Sequence, residues 1–333
     1  MVCRIYGWMS AKLLSRSRGP FAMPHARTNG IVKVPLAEVR QGDAYDLFDT
    51  LDPASVDLVI TSPPYWGLRA YGLKHNGSIW EEWKKEQDKH AIPSYRWYRE
   101  HGGCLGLEPL ADWYSSFIAE IMHKAWRVLK PRGSMWLNIG DTYFARWSSI
   151  RDKGRQGLGD NKRERRKTPM GGYRQEKQLL LIPARAAIKL QDKGWILRND
   201  LIWYKPNVPP RPEKDRLPLT HEHLFHFVKK PTEGRAAYHY DMAEVGEPGH
   251  DVVKQNVQAG TNGHSATFPR DLIRPRIRSS CPEGGLVLDP FCGTGTSLAV
   301  AVESGRRALG FEIKPEYTAV ARKAVVGISR GLF

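Results

Sequence analysis

Apolar positions along this chain fall into short runs cut by turn residues, with one long stretch of clear helical period. Ile31 to Val39 is apolar and β-branched and reads as a strand, broken by Gln41-Gly42-Asp43. Ser55 to Ile60, Ser-Val-Asp-Leu-Val-Ile, has the pattern of a short buried strand. It runs into Thr61-Ser62-Pro63-Pro64-Tyr65-Trp66, where two prolines end it because neither can donate to a ladder. From Asp112 to Leu129 the apolar residues Tyr114, Phe117, Ile118, Ile121, Met122, Ala125, Val128 and Leu129 recur at helical spacing. Asp112 is the expected N-cap, and Pro131 with Gly133 the stop. Ser134 to Ile139 reads as a strand turned by Gly140-Asp141. Beyond it, Pro183 to Gln191 is expected as helix and Trp195 to Tyr204 as strand. Pro206 to Pro218 is proline-rich and irregular, and Glu222 to Val228 is a further strand.

The C-terminal stretch is the most regular. Leu286 to Leu288 is a strand, Asp289 to Ser297 a Gly/Thr turn, Ser297 to Ser304 a helix stopped by Gly305, and Ala308 to Phe311 a strand. A last helix starts near Pro315 and runs to about Val326. This βαβα alternation predicts an α/β protein built on a mostly parallel, doubly wound sheet.

Charge changes the picture more than composition does. The 333 residues hold 51 Lys and Arg against 35 Asp and Glu, a formal charge of +16. That surplus favours a polyanionic partner, of which nucleic acid is the commonest. Arg146 to Lys177 holds eleven of the basic residues against four acids, with frequent glycines. It is expected as a mobile insertion, and Arg163, Arg165, Arg166 and Lys167 are its candidate DNA contacts. Gly67 to Gly103 is a second insertion, with Trp80, Trp83, Tyr95, Trp97 and Tyr98 among charges. The first thirty residues carry five basic side chains and no acid, and are expected as a loose basic tail and a poor secretory signal. No apolar run is long enough for a membrane helix, so no membrane partner is expected. Cys3, Cys104, Cys281 and Cys292 are scattered, which argues against a disulfide framework and fits a reducing cytoplasm.

Two turns carry the chemistry. In an open parallel sheet, ligands bind beyond the carboxyl ends of strands. Val287-Leu288-Asp289-Pro290-Phe291-Cys292-Gly293-Thr294-Gly295-Thr296-Ser297 is a strand, a glycine turn and a helix start. Position 298 is Leu, so the third glycine of a nicotinamide fingerprint is missing, and no Gly-Lys-Ser/Thr marks a P-loop. Asp289 suits a cationic group, and Glu312 at the next strand end can accept from two ribose hydroxyls. A cofactor with an amino acid tail, a ribose and an adenine fits best, namely S-adenosylmethionine (AdoMet). A glycine turn that merely connects two elements is the alternative.

At the other turn, Pro63 and Pro64 fix the backbone and leave carbonyls without neighbouring donors. The Ser62 hydroxyl and the Pro63 carbonyl can then both accept from one amino group, and Tyr65 offers a flat face for a planar ring. Such a turn suits a base swung out of its helix and gripped by its exocyclic amine. A proline-rich turn closing a strand is the alternative.

Taken together, the two turns resemble the amino-methylating DNA methyltransferases, cytosine-N4 and adenine-N6. Ser62-Pro63-Pro64-Tyr65 resembles their catalytic motif and Asp289 to Thr296 their AdoMet motif, in the circularly permuted order of the β group. Leu105 to Pro109, Trp136 to Asp141 and His264 to Pro269 also look like family segments. The resemblance covers roughly residues 31 to 330. It implies the methyltransferase type of sheet, with Ser62, Pro63, Pro64 and Tyr65 catalytic. Asp43, Thr61, Phe268, Pro269, Asp289, Phe291, Gly293, Thr294, Gly295, Thr296 and Glu312 are the implied AdoMet contacts. Double-stranded DNA is the implied partner, and the family admits a homodimer and a separately acting cognate restriction endonuclease. Ser at position 62 is the variant usual in cytosine-N4 enzymes, and adenine-N6 is the alternative. Methylation of RNA or of a protein amide, and a catalytically inactive DNA-binding module, are the more distant readings.

The resemblance divides the chain into a tail (1–30) and one catalytic domain (31–333). The catalytic half is 31–228, with insertions at 67–103 and 144–178. A candidate target-recognition region follows at 229–263, and the AdoMet-binding half is 264–333. His221-Glu222-His223-Leu224-Phe225 breaks the His-Glu-x-x-His zinc pattern. In a strand, His221 and His223 share a face with Phe225, so no metal is expected.

Overall fold

A computed structural model describes residues 36–67, 74–86, 91–145, 147–151, 163–208, 214–245, 249–257 and 268–331. The expected basic tail lies outside the described residues, as does most of the 264–269 segment. In chain order the elements are β1 (Ala37–Gln41), α1 (Ala44–Leu47), β2 (Val56–Thr61), α2 (Ile79–Glu86), α3 (Tyr95–Glu100), α4 (Ala111–His123), α5 (Ala125–Val128) and β3 (Leu129–Ile139). Then come β4 (Trp147–Arg151), β5 (Arg163–Lys167), α6 (Ile182–Asp192), β6 (Trp195–Tyr204), β7 (His221–Lys229) and β8 (Val252–Lys254). The chain closes with α7 (Arg270–Ser280), β9 (Leu286–Asp289), α8 (Thr296–Glu303), β10 (Arg307–Glu312) and α9 (Pro315–Gly331).

Eight strands form one sheet in the order β1-β10-β9-β2-β3-β7-β6-β8. The run from β1 to β3 is parallel; β7 is antiparallel to both β3 and β6, and β8 is parallel to β6. This is the expected α/β, mostly parallel, doubly wound architecture. Every residue of β2 is buried, as a central strand covered on both faces requires. Val56 and Val59 join one core with Phe117, Phe227 and Phe311. Leu58 and Ile60 join the other with Leu272, Ile277 and Leu298.

Several expectations change. The 112–129 helix is two, α4 and α5, broken at Lys124. It starts at Ala111 with no side-chain cap, so Asp112 is not the N-cap. Pro131 does not stop the segment: β3 begins at Leu129, and its pairing with β2 shifts register between Val56 and Leu58, so the proline falls where the ladder is already interrupted. The Arg146–Lys177 insertion is not shapeless. β4 and β5 pair as a two-stranded antiparallel sheet, and Thr168 beyond it is buried.

The stretch expected as the second insertion contributes to the core. α2 and α3 bring Trp83, Tyr95 and Tyr98 into the core beside Trp113 and Phe117. Part of the candidate recognition region is β8, the edge strand beside β6. Helix α7 had no clear sequence signal, because Pro275 lies inside it and charges interrupt its apolar residues. It forms because Leu272, Ile273 and Ile277 seal one face of the sheet.

Candidate active site

Both turns lie at the carboxyl ends of the parallel strands. β2 and β9 are neighbours, with Leu58 opposite Val287 and Val59 opposite Leu288. The strand ends are joined by a hydrogen bond across 228 positions of sequence: the Thr61 hydroxyl donates to Asp289 Oδ1 at 2.6 Å. The carboxylate also accepts from the Phe291 N–H at 3.0 Å and from the Ser297 hydroxyl. Asp289 is 2% exposed, and burial raises its pKa to about 6 against the hydroxyl and amide donors that lower it. This corrects the expectation of a free carboxylate presented to a cationic ligand: Asp289 faces inward and ties the two turns together.

Glu312 is the acid at the end of the next strand. It ends β10 at 9% exposure, and burial raises its pKa. Oε2 accepts from the Gly293 N–H at 3.0 Å and Oε1 from the Lys314 N–H at 2.9 Å. Each oxygen bonded once keeps a lone pair for a hydroxyl. Asp43 is adjacent, because Gln41 pairs with Glu312 and the Gly42 N–H donates to the Glu312 carbonyl at 2.9 Å. Asp43 caps α1 through the Tyr45 N–H at 2.8 Å and accepts from the Tyr95 hydroxyl at 3.0 Å.

Between the strands, Gly293 and Gly295 take positive φ, 53° and 86°. Gly295 packs so close to α9 that an added Cβ would lie 3.1 Å from Ala321. Thr294 and Phe291 are half-buried in the turn, and Thr296 opens α8. Cys292 is buried beneath it, its thiol pKa pushed well up by burial, as befits a packing residue. Phe268 is buried in the α7 core and Pro269 caps α7. The backbone approach at Gly293 and Gly295 and the two acids at adjacent strand ends fit a nucleoside with an amino acid tail.

The Ser-Pro-Pro-Tyr turn is held from several sides. The Pro64 carbonyl accepts from the Tyr114 hydroxyl at 2.9 Å. The Gly67 N–H donates to the Gly106 carbonyl at 2.7 Å, and the Trp66 indole to the Glu108 carbonyl at 3.0 Å. Gly106, at φ 91°, lies against the Tyr65 carbonyl, which an added Cβ would meet at 3.1 Å. The Pro64 carbonyl is thus engaged, and Ser62 two positions earlier is half-buried. Tyr65 extends along the sheet. Its hydroxyl donates to Glu222 Oε2 at 2.5 Å, lies 3.1 Å from Asn138 Oδ1, and receives the Ser62 hydroxyl at 3.4 Å. Burial, followed by the Glu222 charge, pushes its pKa well above the usual phenol range. The end of β3 runs directly under the ring: a Cβ on Gly140 would come within 2.8 Å of it.

Sequence reasoning had not found Tyr114, Gly106, Gly140 or Glu222. Gly106 and Gly140 lie in segments that resemble the family's, while Tyr114 and Glu222 lie in a helix and a strand noted for other reasons. The Arg163–Lys167 set lies on β5, paired with β4 from Lys167 opposite Trp147 to Arg163 opposite Arg151. His221 and His223 do share a face with Phe225, as ring contacts of 5.4 and 5.5 Å record. No group of metal ligands occurs among the described residues, and no described helix is long and apolar enough to cross a membrane.

A parallel sheet whose central strand end joins a glycine turn to a Ser-Pro-Pro-Tyr turn defines an α/β methyltransferase class, and the comparisons agree. The sequence model of a family described as DNA methylase (N6_N4_Mtase) matches residues 56–323. The chain belongs to this family of amino-methylating DNA methylases. Among its relatives, the type II methyltransferase M.SmaI of Serratia marcescens is 34% identical over 295 residues, 86% of this chain and 89% of that one. The type II methyltransferase M.Cfr9I of Citrobacter freundii is 32% identical over 320 residues, 94% and 95% of the two chains. Among solved structures, the PvuII DNA methyltransferase (cytosine-N4-specific) superposes with a TM-score of 0.60 at 20% identity, covering 88% of this chain and 90% of that one. A DNA modification methylase from Thermus thermophilus, solved with S-adenosyl-L-methionine, gives 0.54 at 22% identity, covering 89% and 95%.

Proposed function

We propose that this DNA methylase transfers the methyl group of AdoMet to N4 of a cytosine swung out of duplex DNA. The observation that carries the reading is the 2.6 Å bond between Thr61 and Asp289, which sets the amine-gripping turn beside the glycine turn. Bound AdoMet supplies an electrophilic methyl group on a sulfonium. Asp43, Glu312 and the Gly293–Thr296 backbone are the residues to hold it, with Phe268 and Pro269 packing nearby.

The chain's own part is position and electrostatics. An aromatic exocyclic amine is a poor nucleophile because its lone pair is spread into the ring. Ser62 Oγ and the Pro63 carbonyl accept its two N–H groups, which favours a pyramidal nitrogen with the lone pair directed at the methyl carbon; as the C–N bond formed, the C–S bond would break with its electron pair left on a neutral thioether, and the nitrogen would release one N–H proton to solvent. Tyr65 offers its ring to the base. Serine rather than aspartate at position 62 supports cytosine. Nucleosides digested from DNA treated with enzyme and AdoMet are expected to contain 4-methylcytosine; 6-methyladenine alone overturns the cytosine assignment.

Arg163, Arg165, Arg166 and Lys167 on β5 are the proposed phosphate-binding residues. Replacing all four with Ala is expected to flatten the log–log salt dependence of DNA binding by about 0.9 for each phosphate no longer neutralised. An unchanged slope removes β5 from the DNA interface.

A further inference from the structure

The catalytic turn connects to a charged pair that no part of the transfer reaction yet uses. Lys205, just past β6, donates to Glu222 Oε1 at 2.6 Å, and Glu222 Oε2 accepts from Tyr65 at 2.5 Å. Both side chains are shielded, at 14% and 13% exposure, unlike an ordinary surface ion pair. Three groups surround the Tyr65 oxygen: Glu222, Asn138 Oδ1 at 3.1 Å and Ser62 Oγ at 3.4 Å. A phenol has one proton to give. The short contact to a carboxylate takes it, since charged acceptors make the stronger bond. The accepting side of the oxygen is then open to the Ser62 hydrogen. Asn138 cannot reverse this order, because its amide nitrogen is committed to the His223 carbonyl at 3.0 Å and its oxygen is only an acceptor.

We propose that Glu222, anchored by Lys205, is a positioning residue: it draws the Tyr65 proton outward, so that Tyr65 draws the Ser62 proton outward and the Ser62 lone pairs face the target amine. This rests on the reading that Ser62 accepts from that amine. A serine hydroxyl can either donate or accept, and one aimed the wrong way would place its hydrogen against the N–H groups it should receive. Glu222 removes that ambiguity from a strand 157 positions beyond Tyr65 in sequence. An aspartate at position 62 would need no such device, being acceptor-only when ionised.

The test compares shape with hydrogen-bonding sense. In Glu222→Gln, Lys205 has only donors, so it holds the glutamine oxygen and turns the NH2 toward Tyr65. The amide then occupies the accepting side of the phenol, and Ser62 loses its partner. The kcat for DNA methylation is expected to fall about 30-fold, the scale of one hydrogen bond turned from favourable to unfavourable. The DNA KM and the calorimetric affinity for AdoMet should change little. Glu222→Asp, shorter but acceptor-only, should retain more kcat than Glu222→Gln, and Tyr65→Phe combined with Glu222→Gln should be no slower than the slower single variant.

Losses that multiply in the double variant, or a Gln variant faster than the Asp variant, overturn the proposal. If Glu222→Gln yields no folded protein, Tyr65→Phe carries the test alone, and unchanged kcat overturns it. The underlying reading fails separately, through a Ser62→Ala variant that keeps its kcat or a wild-type enzyme that methylates no DNA amine.

Discussion

The two turns of the site are built by opposite means. The glycine turn is partly local: Asp289 to Thr296 supplies its own glycines, its helix start and two internal hydrogen bonds, Phe291 N–H to Asp289 and Gly295 N–H to the Cys292 carbonyl, and its outside ties come from the flanking Thr61, Ser297, Phe311 and Glu312. The catalytic turn is short and cannot hold itself. It is gripped by Tyr114 of α4, by Gly106 and Glu108, by Asn138 of β3 and by Glu222 of β7. A ligand bound largely through backbone can be recognised by a compact loop. Two acceptors aimed at one nitrogen need supports converging from several elements.

If this contrast holds, damage at the catalytic turn changes rate, and damage at the cofactor turn changes stability and ligand affinity. The largest expected effect is Ser62→Ala, with kcat lowered about 1000-fold and the AdoMet affinity measured by calorimetry retained. A variant that loses both together breaks the contrast.

Next comes the buried tie itself. The Asp289 carboxyl titrates near 6 when folded, against 3.8 ordinarily. Its contribution to stability is therefore fully present below about pH 4 and is lost as pH rises through 6, an amount of about 3 kcal/mol. Denaturant unfolding of the wild type and of Asp289→Asn from pH 4 to 7 should show the wild type losing that much relative to the variant. A flat difference refutes the buried, raised carboxyl.

Gly310 sharpens the same point at about 2 kcal/mol. An added Cβ would lie 2.7 Å from Cys292 Sγ and 2.6 Å from Leu298 Cδ1. Gly310→Ala should lower the Tm and weaken AdoMet binding, and adding Cys292→Ala should restore part of both; no restoration means the clash is elsewhere. The smallest effect is Tyr114→Phe. It frees the Pro64 carbonyl and should cost about 1 kcal/mol in urea unfolding together with a several-fold loss of kcat. Loss of stability without loss of rate would demote Tyr114 to packing.

What the sequence disclosed follows the same division. The glycine turn and the strands flanking it were readable because their determinants are contiguous, and the Ser-Pro-Pro-Tyr run was readable for the same reason. Its supports were not, since Tyr114 lies 50 positions from Pro64 and Glu222 lies 157 from Tyr65. Glu222 was passed over within a histidine-rich strand weighed for metal and read as a structural or DNA-facing strand. The aromatic residues of α2 and α3 looked like an appended surface because charges interleave with them, although Trp83 and Tyr98 complete the core. Asp289 was legible as important but not in direction. Sequence places a carboxyl at a strand end, and only the neighbouring hydroxyls of Thr61 and Ser297 turn it inward.

The strand order β1-β10-β9-β2 has a consequence for how the chain is made. A ribosome delivers β1 and β2 early, yet they are not neighbours: the gap between them is filled by β9 and β10, which emerge after Ser280. Until then the nascent polypeptide carries the Ser-Pro-Pro-Tyr segment with β3 available on one side of β2 and no β9 on the other. Premature termination before Leu286 therefore leaves β2 without its β9 neighbour and the Ser-Pro-Pro-Tyr turn without the tie from Thr61 to Asp289.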